Sequence, residues 1–443
     1  MRIRSFGRCL VGALLLLGAV WSSWRFTDGR AVRATVTDEP RTASSAPEPA
    51  VSAAASALLT APSALDSGAP AASSPWSVRA LRVRATWCGD GLIEHLRDLA
   101  AAYAQHPTDG QKAYEAGAQL EVSRMERAAA REAVARWSAS LRSRGDRRSL
   151  AMAEYLALTH QSAEAKEQAS SRLQALARSS TDPFVTALAL KRPCEPGACS
   201  NIDPAQWSRL EPANVEAWLA LAQATRGQSV RGVSFEYIFD RLAAEAKYSR
   251  NYAAEAYRMV LEVLPRDSSG FDLWVEVPTF IGSEATWAFS YSRDLWDACR
   301  GSGKSGSPRA QQCTAIAEAM WNEGNWIARH QALRLVSEAL PKGAAGRAVW
   351  ESRAWRYQAM SAFQRQPHDW SGGAFEPKEN PAAMCQAMSE ARRRMMERFQ
   401  LDDWGRMEAD FKAAGAKIDE WAPKWSADGR KSALEPVPDR ARP

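Results

Sequence analysis

Cysteines are the residues of this chain whose type and spacing most directly suggest chemistry. Cys9 lies in an N-terminal apolar run, and the other six are Cys88, Cys194, Cys199, Cys299, Cys313 and Cys385. An even number favours disulfides in an oxidising compartment, and six cysteines allow 15 pairings. Cys194 and Cys199 bracket a turn-like stretch, and Cys299 and Cys313 bracket a Gly/Ser-rich loop, so both pairs are candidate local bridges. Cys88 would then pair with Cys385, although an extended helical array would hold these two positions far apart.

Metal binding is the other chemistry that cysteines suggest. Cys194 and Cys199 form a C-x4-C pattern, but no second Cys/His pair at zinc spacing accompanies it. The five histidines are His95, His106, His160, His330 and His368. They are scattered, with no H-x-x-x-H pattern among them, and structural or surface roles suit them better than catalysis. The sequence therefore predicts no metal site and no cofactor.

A loose Walker A pattern runs from Ala298 to Ser305 and includes Gly303 and Lys304. A phosphate-binding loop needs a buried strand before it and a helix that opens at the lysine. Here the residues before Cys299 have a helical pattern, and Gly306–Pro308 would interrupt a following helix. We therefore expect a flexible loop and no nucleotide binding.

Glu351–Ser352 is similar to the Glu-Ser pair of lytic transglycosylases, which combine a helical superhelix with a domain that cleaves the cell wall. The G-x-x-Q-type signature of those enzymes is missing around this pair. The neighbouring Trp350 and Trp355 fit a packed helix face instead. We predict no catalytic residue, and an enzyme of unrecognised type remains a lesser alternative.

The N-terminus has the composition of an export signal. Arg2, Arg4 and Arg8 precede an apolar run from Cys9 to Trp21, and residues 9–24 give a segment of 16 residues. No clean A-x-A cleavage site follows it. We predict a signal anchor over residues 1–24, single-pass in the inner membrane, with the folded part in the periplasm. The alternative is a cleaved signal peptide and a soluble periplasmic or secreted protein.

Residues 25–76 are rich in Ala, Ser and Pro and have few large apolar side chains, so they predict a disordered linker. Charge is also concentrated near the N-terminus. Residues 1–33 hold six arginines and one aspartate, which account for most of the chain's net charge of +6. Because the remainder is nearly neutral, its charge gives no support to a nucleic-acid partner.

Helical periodicity dominates the rest of the chain and predicts an all-α domain over residues 77–425, followed by a disordered tail over 426–443. The predicted helices are 90–104, 111–143, 147–160, 163–178, 205–225, 235–263, 309–321, 325–340, 345–363, 379–399 and 402–417. The only strand-like piece is Leu273–Val277, which is too short and isolated to build a sheet.

The stretch 207–222 resembles the junction between tetratricopeptide repeats, in which one helix ends in L-[DE]-P-x-N and the next begins A-W-x-x-L-A. The residues that carry this resemblance are Trp207, Leu210, Pro212, Asn214, Trp218, Leu221 and Ala222. Pro212 would stop the first helix and Asn214 would cap the second. The resemblance implies stacked helix pairs that present a groove to peptides or proteins. No second copy follows at a 34-residue period, so both a repeat-like α-solenoid and an irregular helical array are expected forms.

The chain has 18 tryptophans, of which Trp321, Trp326, Trp350, Trp355 and Trp370 lie in its C-terminal half. Tryptophans that fill the gaps between helices fit a scaffold that binds another protein or peptide. Two or more open indole faces in one concavity would instead fit a domain that interacts with the cell wall or with carbohydrate. We expect the scaffold, with carbohydrate binding as the alternative.

Overall fold

The structure is a computed structural model that describes residues 74–160, 163–190, 202–225, 233–285, 293–305, 307–323, 325–365, 380–399, 401–427 and 432–435. These residues form 19 α-helices and no β-strand. The prediction of an all-α fold is therefore confirmed for the described part of the chain.

The helices of the first half follow one another closely. They are α1 (Val78–Ala85), α2 (Leu92–Ala104), α3 (Gly110–Gln119), α4 (Glu121–Ser143), α5 (Arg147–His160), α6 (Ala163–Arg178), α7 (Pro183–Leu190), α8 (Gln206–Leu210) and α9 (Val215–Thr225). A π-helical turn, Trp87–Gly91, connects α1 to α2. The bounds of α5 and α6 agree with the predicted ones.

The second half contains ten further helices. They are α10 (Phe235–Glu245), α11 (Ala253–Leu261), α12 (Gly270–Ala285), α13 (Arg293–Cys299), α14 (Pro308–Trp321), α15 (Trp326–Ala339), α16 (Arg347–Arg365), α17 (Pro381–Arg398), α18 (Asp403–Ala413) and α19 (Ile418–Ala427). A short 3-10 turn, Ser302–Ser305, lies between α13 and α14.

The apolar faces of these helices meet in three hydrophobic clusters. The first is formed mainly by α4–α7, α11, α12 and α17, and it buries Trp137, Phe184 and Trp207. The second is formed by α9, α10, α13–α16 and α18, and it buries Trp350. The third surrounds Trp87 near the N-terminal end of the described chain. Burial of these large side chains is the main favourable contribution to the stability of the fold.

Three predicted helices are wrong because the structure breaks each of them. The predicted 205–225 helix is divided into α8, which ends at Leu210, and α9, which begins at Val215. The predicted 111–143 helix is divided at Leu120, whose ψ of 141° is not helical. The predicted 235–263 helix is interrupted between α10 and α11, where residues 246–252 form hydrogen bonds with other parts of the chain. Helical periodicity alone does not reveal such a break, because the new partners replace the lost helical bonds.

The stretch Leu273–Val277 has a strand-like composition, but it is helical and lies inside α12. Its β-branched residues pack into the first and third clusters from a helix. The predicted tail from residue 426 begins too early, because α19 continues to Ala427 and Leu434 is fully buried. Arg347 holds this segment by donating from Nη2 to the Leu434 carbonyl oxygen at 2.9 Å.

Two disulfides lie in the described chain. Cys299 and Cys313 join α13 to α14 across 14 positions of sequence. Cys88 and Cys385 join the π-helical turn to α17 across 297 positions, with their Cα atoms 5.6 Å apart. The expectation that an extended array keeps these two residues far apart is wrong, because α17 packs on α12 and on the π-helical turn.

Several predicted features lie outside the described residues. They are the apolar segment 9–24, almost all of the 25–76 linker, and the Cys194–Cys199 pair. Within the described ranges, no helix is both long enough and apolar enough to span a membrane.

Candidate functional site: a cleft where three chain junctions meet

The turn between α8 and α9 contains the repeat-like stretch. Asn214 caps α9 by accepting a hydrogen bond from the Glu216 backbone N–H at 3.1 Å. Trp218 donates from Nε1 to the Pro212 carbonyl oxygen at 2.8 Å. Of the predicted packing residues, five are buried, Leu210 is half-buried and Pro212 is exposed. The buried ones are Trp207, Asn214, Trp218, Leu221 and Ala222.

The carboxylate of Glu211 is the centre of a buried hydrogen-bond network beside this turn. It accepts from Trp207 Nε1 at 2.9 Å and from Asn214 Nδ2 at 3.0 Å. It also accepts from the hydroxyls of Tyr248 at 3.0 Å and Tyr252 at 2.9 Å. These four donors are all neutral. Because a buried carboxylate must be hydrogen-bonded to be tolerated, the network fixes the segment that carries both tyrosines.

Burial and this carboxylate act together on the tyrosines. Burial, followed by the hydrogen bond to Glu211, raises the pKa of Tyr248 to about 12. The pKa of Tyr252 is raised further, mainly by burial and by the charge of Glu211. Both phenols therefore remain protonated hydrogen-bond donors at neutral pH.

The segment between α10 and α11, residues 246–252, is fixed from two sides. On one side, the Val215 N–H donates to the Tyr248 carbonyl oxygen at 2.9 Å, and Asn214 Nδ2 donates to the Arg250 carbonyl oxygen at 2.9 Å. On the other side, the Ser249 N–H donates to the Asn322 carbonyl oxygen at 3.0 Å. The segment thus connects the α8–α9 turn with the α14–α15 turn.

Two residues near this connection have a left-handed backbone conformation. Tyr252 has a φ of 63° and Glu323 has a φ of 53°, and among the described residues they are the only non-glycines with positive φ. Such a conformation is unfavourable for a side chain with a Cβ atom, and it persists only where the surroundings enforce it. Here the Glu211 network and a 2.7 Å ion pair between Arg250 and Glu323 enforce it.

Both left-handed residues line an open cleft of about 450 Å³. We call it the junction cleft, because it lies where the α10–α11 segment, the α14–α15 turn and the start of α18 come together. Its wall includes the buried rings of Tyr252 and Tyr257, and its rim includes Leu401, which is 41% exposed. A volume of this size is typical of a binding site for a small molecule or for a few residues of a peptide.

Three helices begin at the junction cleft. Asn325 caps α15 by accepting from the Ala328 N–H at 2.9 Å, and Asp402 caps α18 by accepting from the Gly405 N–H at 2.6 Å. The third helix is α11, which begins at Ala253, directly after Tyr252. The first backbone N–H groups of a helix have no partner within it, so each of these helix N-termini carries partial positive charge.

Two polar atoms of the cleft wall are buried without a hydrogen-bond partner in the described chain, Asn325 Nδ2 and Glu255 Oε2. The Asn325 residue is only 5% exposed. Burial raises the pKa of Glu255 against the opposing effect of Arg148, Arg250 and Arg258. Buried polar atoms without partners are uncommon in folded proteins, and each of them requires a reason.

The tryptophans of the C-terminal half pack inward. Trp326 stacks on Tyr357 with ring centres 3.8 Å apart, and Trp321 contacts Trp350 edge-on at 5.8 Å. Trp350 is 2% exposed. Trp355 is half-buried, and Trp370 lies outside the described residues. None of the tryptophan side chains that the structure describes is exposed, so the described part offers no open indole platform for a sugar.

The loop with the Walker A pattern lies in an environment that disfavours phosphate. A Cβ atom on Gly303 would be 2.7 Å from the Ala339 carbonyl oxygen, so this backbone packs against the C-terminal end of α15. The Gly301 N–H donates to the Glu338 carboxylate at 2.9 Å. Carbonyl oxygens and a carboxylate would both repel an anion at this place.

The other predicted chemistry is dispersed. Glu351 lies within α16 and accepts from Arg347 Nε at 3.4 Å. His95 is buried near Trp87, with Nε2 3.5 Å from Glu126. No group of three His, Cys, Asp or Glu residues in the described ranges has the arrangement of a metal site.

Comparison with known proteins gives no relative: the chain matches no family model, no curated protein and no solved structure.

The sequence patterns did not identify the cleft residues Tyr252, Glu255, Glu323, Asn325 and Asp402. A usable signal existed for two of them, because Asn325 and Asp402 each directly precede a helical pattern, as N-caps do. No local pattern indicates that the helices they cap begin at the same place in space.

Proposed function

We propose that the folded part of this chain is a helical scaffold that binds a segment of another protein in the junction cleft. The observation that carries the proposal is the backbone conformation of Tyr252 and Glu323, which both line this cleft. Backbone strain in folded proteins is concentrated at binding and catalytic sites, where the surrounding structure maintains it for a functional reason.

The chemistry of the cleft wall favours binding over catalysis. Part of its charge is matched, because Arg250 pairs with Glu323 and Asp403 bonds Arg406. Asp402 accepts from the backbone at the start of α18. A wall of partly matched charges, helix N-termini and tyrosine rings suits recognition of a polar chain with apolar side groups.

The finer architecture belongs to the same proposal. We infer an irregular helical array in which α8 and α9 form a pair related to tetratricopeptide repeats. The Pro212–Asn214 turn and the bond from Trp218 to the Pro212 carbonyl oxygen support this relation. The disulfide between Cys88 and Cys385 favours the irregular array over an open solenoid, because it joins the first described helices to α17.

The proposal includes the location of the scaffold. The arginines and the apolar run of residues 9–24 support an anchor in the inner membrane with the folded part outside the cytoplasm. Cysteine pairs at disulfide distance are consistent with an oxidising compartment. A reporter that is active only after export, fused after Pro443, should be active, and carbonate washing should leave the chain in the membrane pellet. Activity of a cytoplasmic reporter would contradict the location.

Site-specific photo-crosslinking in native membranes tests the binding site. A photoreactive phenylalanine analogue at Leu401, on the cleft rim, should give one or a few discrete adducts. The matched control is the same analogue at Tyr114 of α3, which is 44% exposed and lies outside the cleft. Adducts at Leu401 alone support the proposal. Equal adducts at both positions, or none at Leu401, would contradict it.

A further inference from the structure

Most of the charged side chains that line the junction cleft are already engaged. Arg250 pairs with Glu323, and Asp403 bonds Arg406 of α18. Glu255 is half-buried in the first turn of α11, and its Oε2 is enclosed by the protein. Two charged residues of the wall remain, and they have opposite signs.

These two residues are Arg258 and Asp402, and both are exposed. Arg258 donates from Nε to the Ala254 carbonyl oxygen of its own helix at 3.3 Å. Asp402 accepts from the Gly405 N–H as the cap of α18. Neither forms an ion pair with a residue of the described ranges. The cleft therefore presents one cationic and one anionic group without a charged partner.

Neighbouring charges act on these two groups from a longer distance. Arg258 opposes the rise that burial causes in the pKa of Glu255, three positions earlier on α11. Arg329 of α15 interacts with Asp402 through charge, but its guanidinium lies over the Trp404 ring, 4.0 Å from the ring centre. A ligand charge can therefore approach Arg258 or Asp402 from solvent without first displacing an ion-pair partner.

The two groups belong to different elements, since Arg258 lies on α11 and Asp402 caps α18. A small anion would satisfy only the first group, and a small cation only the second. A chain segment that extends across the cleft can satisfy both, and a cleft of about 450 Å³ accommodates a few residues of such a segment.

We propose that the junction cleft recognises a partner segment of mixed charge, in which an acidic side chain pairs with Arg258 and a basic side chain pairs with Asp402. The inference rests on the proposed function and names the chemistry of the segment that enters the cleft. Leu401 directly precedes Asp402 and is 41% exposed, so an apolar side chain beside the basic one would pack on it. A segment whose charges all have one sign would bring a like charge to one of the two groups.

The probe is a pool of randomised nonapeptides, acetylated at one end and amidated at the other, so that all their charges are on side chains. An extended nonapeptide is about 30 Å long and can cross the cleft in several registers. Peptides are selected on the full chain in detergent at low salt, because salt screens exposed charge pairs. The wild type should enrich peptides that contain both an acidic and a basic residue.

Two substitutions each remove one charge and preserve the local structure. Arg258→Gln keeps a side chain that favours helix, and Asp402→Asn keeps an oxygen for the α18 cap. Arg258→Gln should abolish enrichment of the acidic residue alone, and Asp402→Asn should abolish enrichment of the basic residue alone. For the best wild-type peptide, each should raise Kd by about two- to fivefold, as expected for one exposed ion pair.

The matched controls lie outside the cleft. They are Arg97→Gln on the exposed face of α2, and Asp109→Asn at the cap of α3, where the carboxylate accepts from the Lys112 N–H at 3.0 Å. Both should leave the enrichment and Kd unchanged. A peptide whose acidic residue is replaced by glutamine should bind the wild type and Arg258→Gln equally, because the two changes remove the same pair.

The outcomes separate this inference from the proposed function. Enrichment of one charge alone or of neither, or the same enrichment in the wild type and both variants, would overturn the mixed-charge segment. A pool that yields no peptide bound to the wild type would also overturn it. In each of these cases, crosslinking at Leu401 would still support the docking site. Absence of adducts at Leu401 in native membranes is the separate result that overturns the proposed function.

Discussion

The hydroxyl of Tyr252 donates a 2.9 Å hydrogen bond to the carboxylate of Glu211. This bond connects the residue after α8 to the residue directly before α11, which has a left-handed conformation. Tyr252 also forms part of the cleft wall. Tyr252 therefore belongs both to the buried network beside the α8–α9 turn and to the junction cleft. A change in the network should affect the stability of the fold and the shape of the cleft.

The first prediction concerns this bond. Tyr252→Phe should lower the free energy of unfolding by about 2 kcal/mol, because a hydrogen bond to a buried charged group is lost. The matched control is Tyr237→Phe on α10, since Tyr237 is 51% exposed. Urea unfolding followed by circular dichroism measures both. Equal stability of the two variants would show that the bond to Glu211 contributes nothing.

The second prediction concerns Asn214. Asn214→Asp retains an oxygen for the α9 cap but loses the Nδ2 donor. It also places a second carboxylate beside that of Glu211, whose Oε2 is 3.0 Å from Asn214 Nδ2 in the native chain. We expect a loss of about 2 to 3 kcal/mol at pH 7 from the lost bonds and the like-charge repulsion. The loss should be smaller at pH 5, because protonation of one carboxyl relieves the repulsion. A loss that does not depend on pH would contradict this account.

Much of the helical architecture could be predicted from sequence because local signals were sufficient. Helices α5 and α6 have strong periodicity, and Arg144–Asp146 separates α4 from α5, so their bounds were found. At the α8–α9 turn, Pro212 and Asn214 lie between the two helices, as the local pattern predicts, and Asn214 caps α9. Asn214 accepts from an N–H two positions further along the chain, which is a contact that sequence spacing can reveal.

The junction cleft could not be predicted, because its geometry depends on contacts between distant residues. The break between α10 and α11 exists because Asn214 and Asn322 bond the backbone of residues 247–250. Similarly, Leu273–Val277 has residues that favour strands, and it is helical because packing against two clusters overrides local preference. A single sequence carries no direct signal for either effect.

The third prediction ranks the two described disulfides. A bridge that closes a longer loop restricts the unfolded chain more, by about 3 kcal/mol for a loop near 15 residues and about 5 kcal/mol or more for a loop of several hundred. Replacing Cys88 and Cys385 with alanine, across 297 positions, should therefore lower the Tm more than replacing Cys299 and Cys313, across 14 positions. Calorimetry of the two double variants measures the difference, and the opposite order would contradict the argument.

The fourth prediction concerns the order in which the same two disulfides are reduced under mild conditions. Cys299 and Cys313 are fully buried, whereas Cys88 and Cys385 are half-buried. Thiol–disulfide exchange requires access to a sulfur atom, so a small dithiol should reduce the Cys88–Cys385 bridge first. Alkylation at timed intervals followed by peptide mapping gives the order. Earlier labelling of Cys299 and Cys313 would show that α13 and α14 separate more readily than the packed structure indicates.

The last prediction concerns the pH dependence of stability at Glu255. Burial raises the pKa of this carboxyl above its ordinary value of 4.5, so the folded chain retains the proton to a higher pH than the unfolded chain. The groups that act on it are Arg148, Arg250 and Arg258, which oppose the shift, and Asp182, which adds to it; Glu323, Asp402 and Asp403 also line the cleft. The contribution of Glu255 to stability is complete below the unfolded pKa and is lost as the pH rises through the folded pKa.

Wild type should therefore become less stable relative to Glu255→Gln between pH 4 and pH 7, because glutamine is never ionised. The control is Glu262→Gln at the other end of α11, where the carboxylate is 59% exposed and pairs with Arg144. Urea midpoints of the three proteins across this range measure the effect, and a constant difference between wild type and Glu255→Gln would show that the Glu255 carboxyl ionises in the cleft as it does in water.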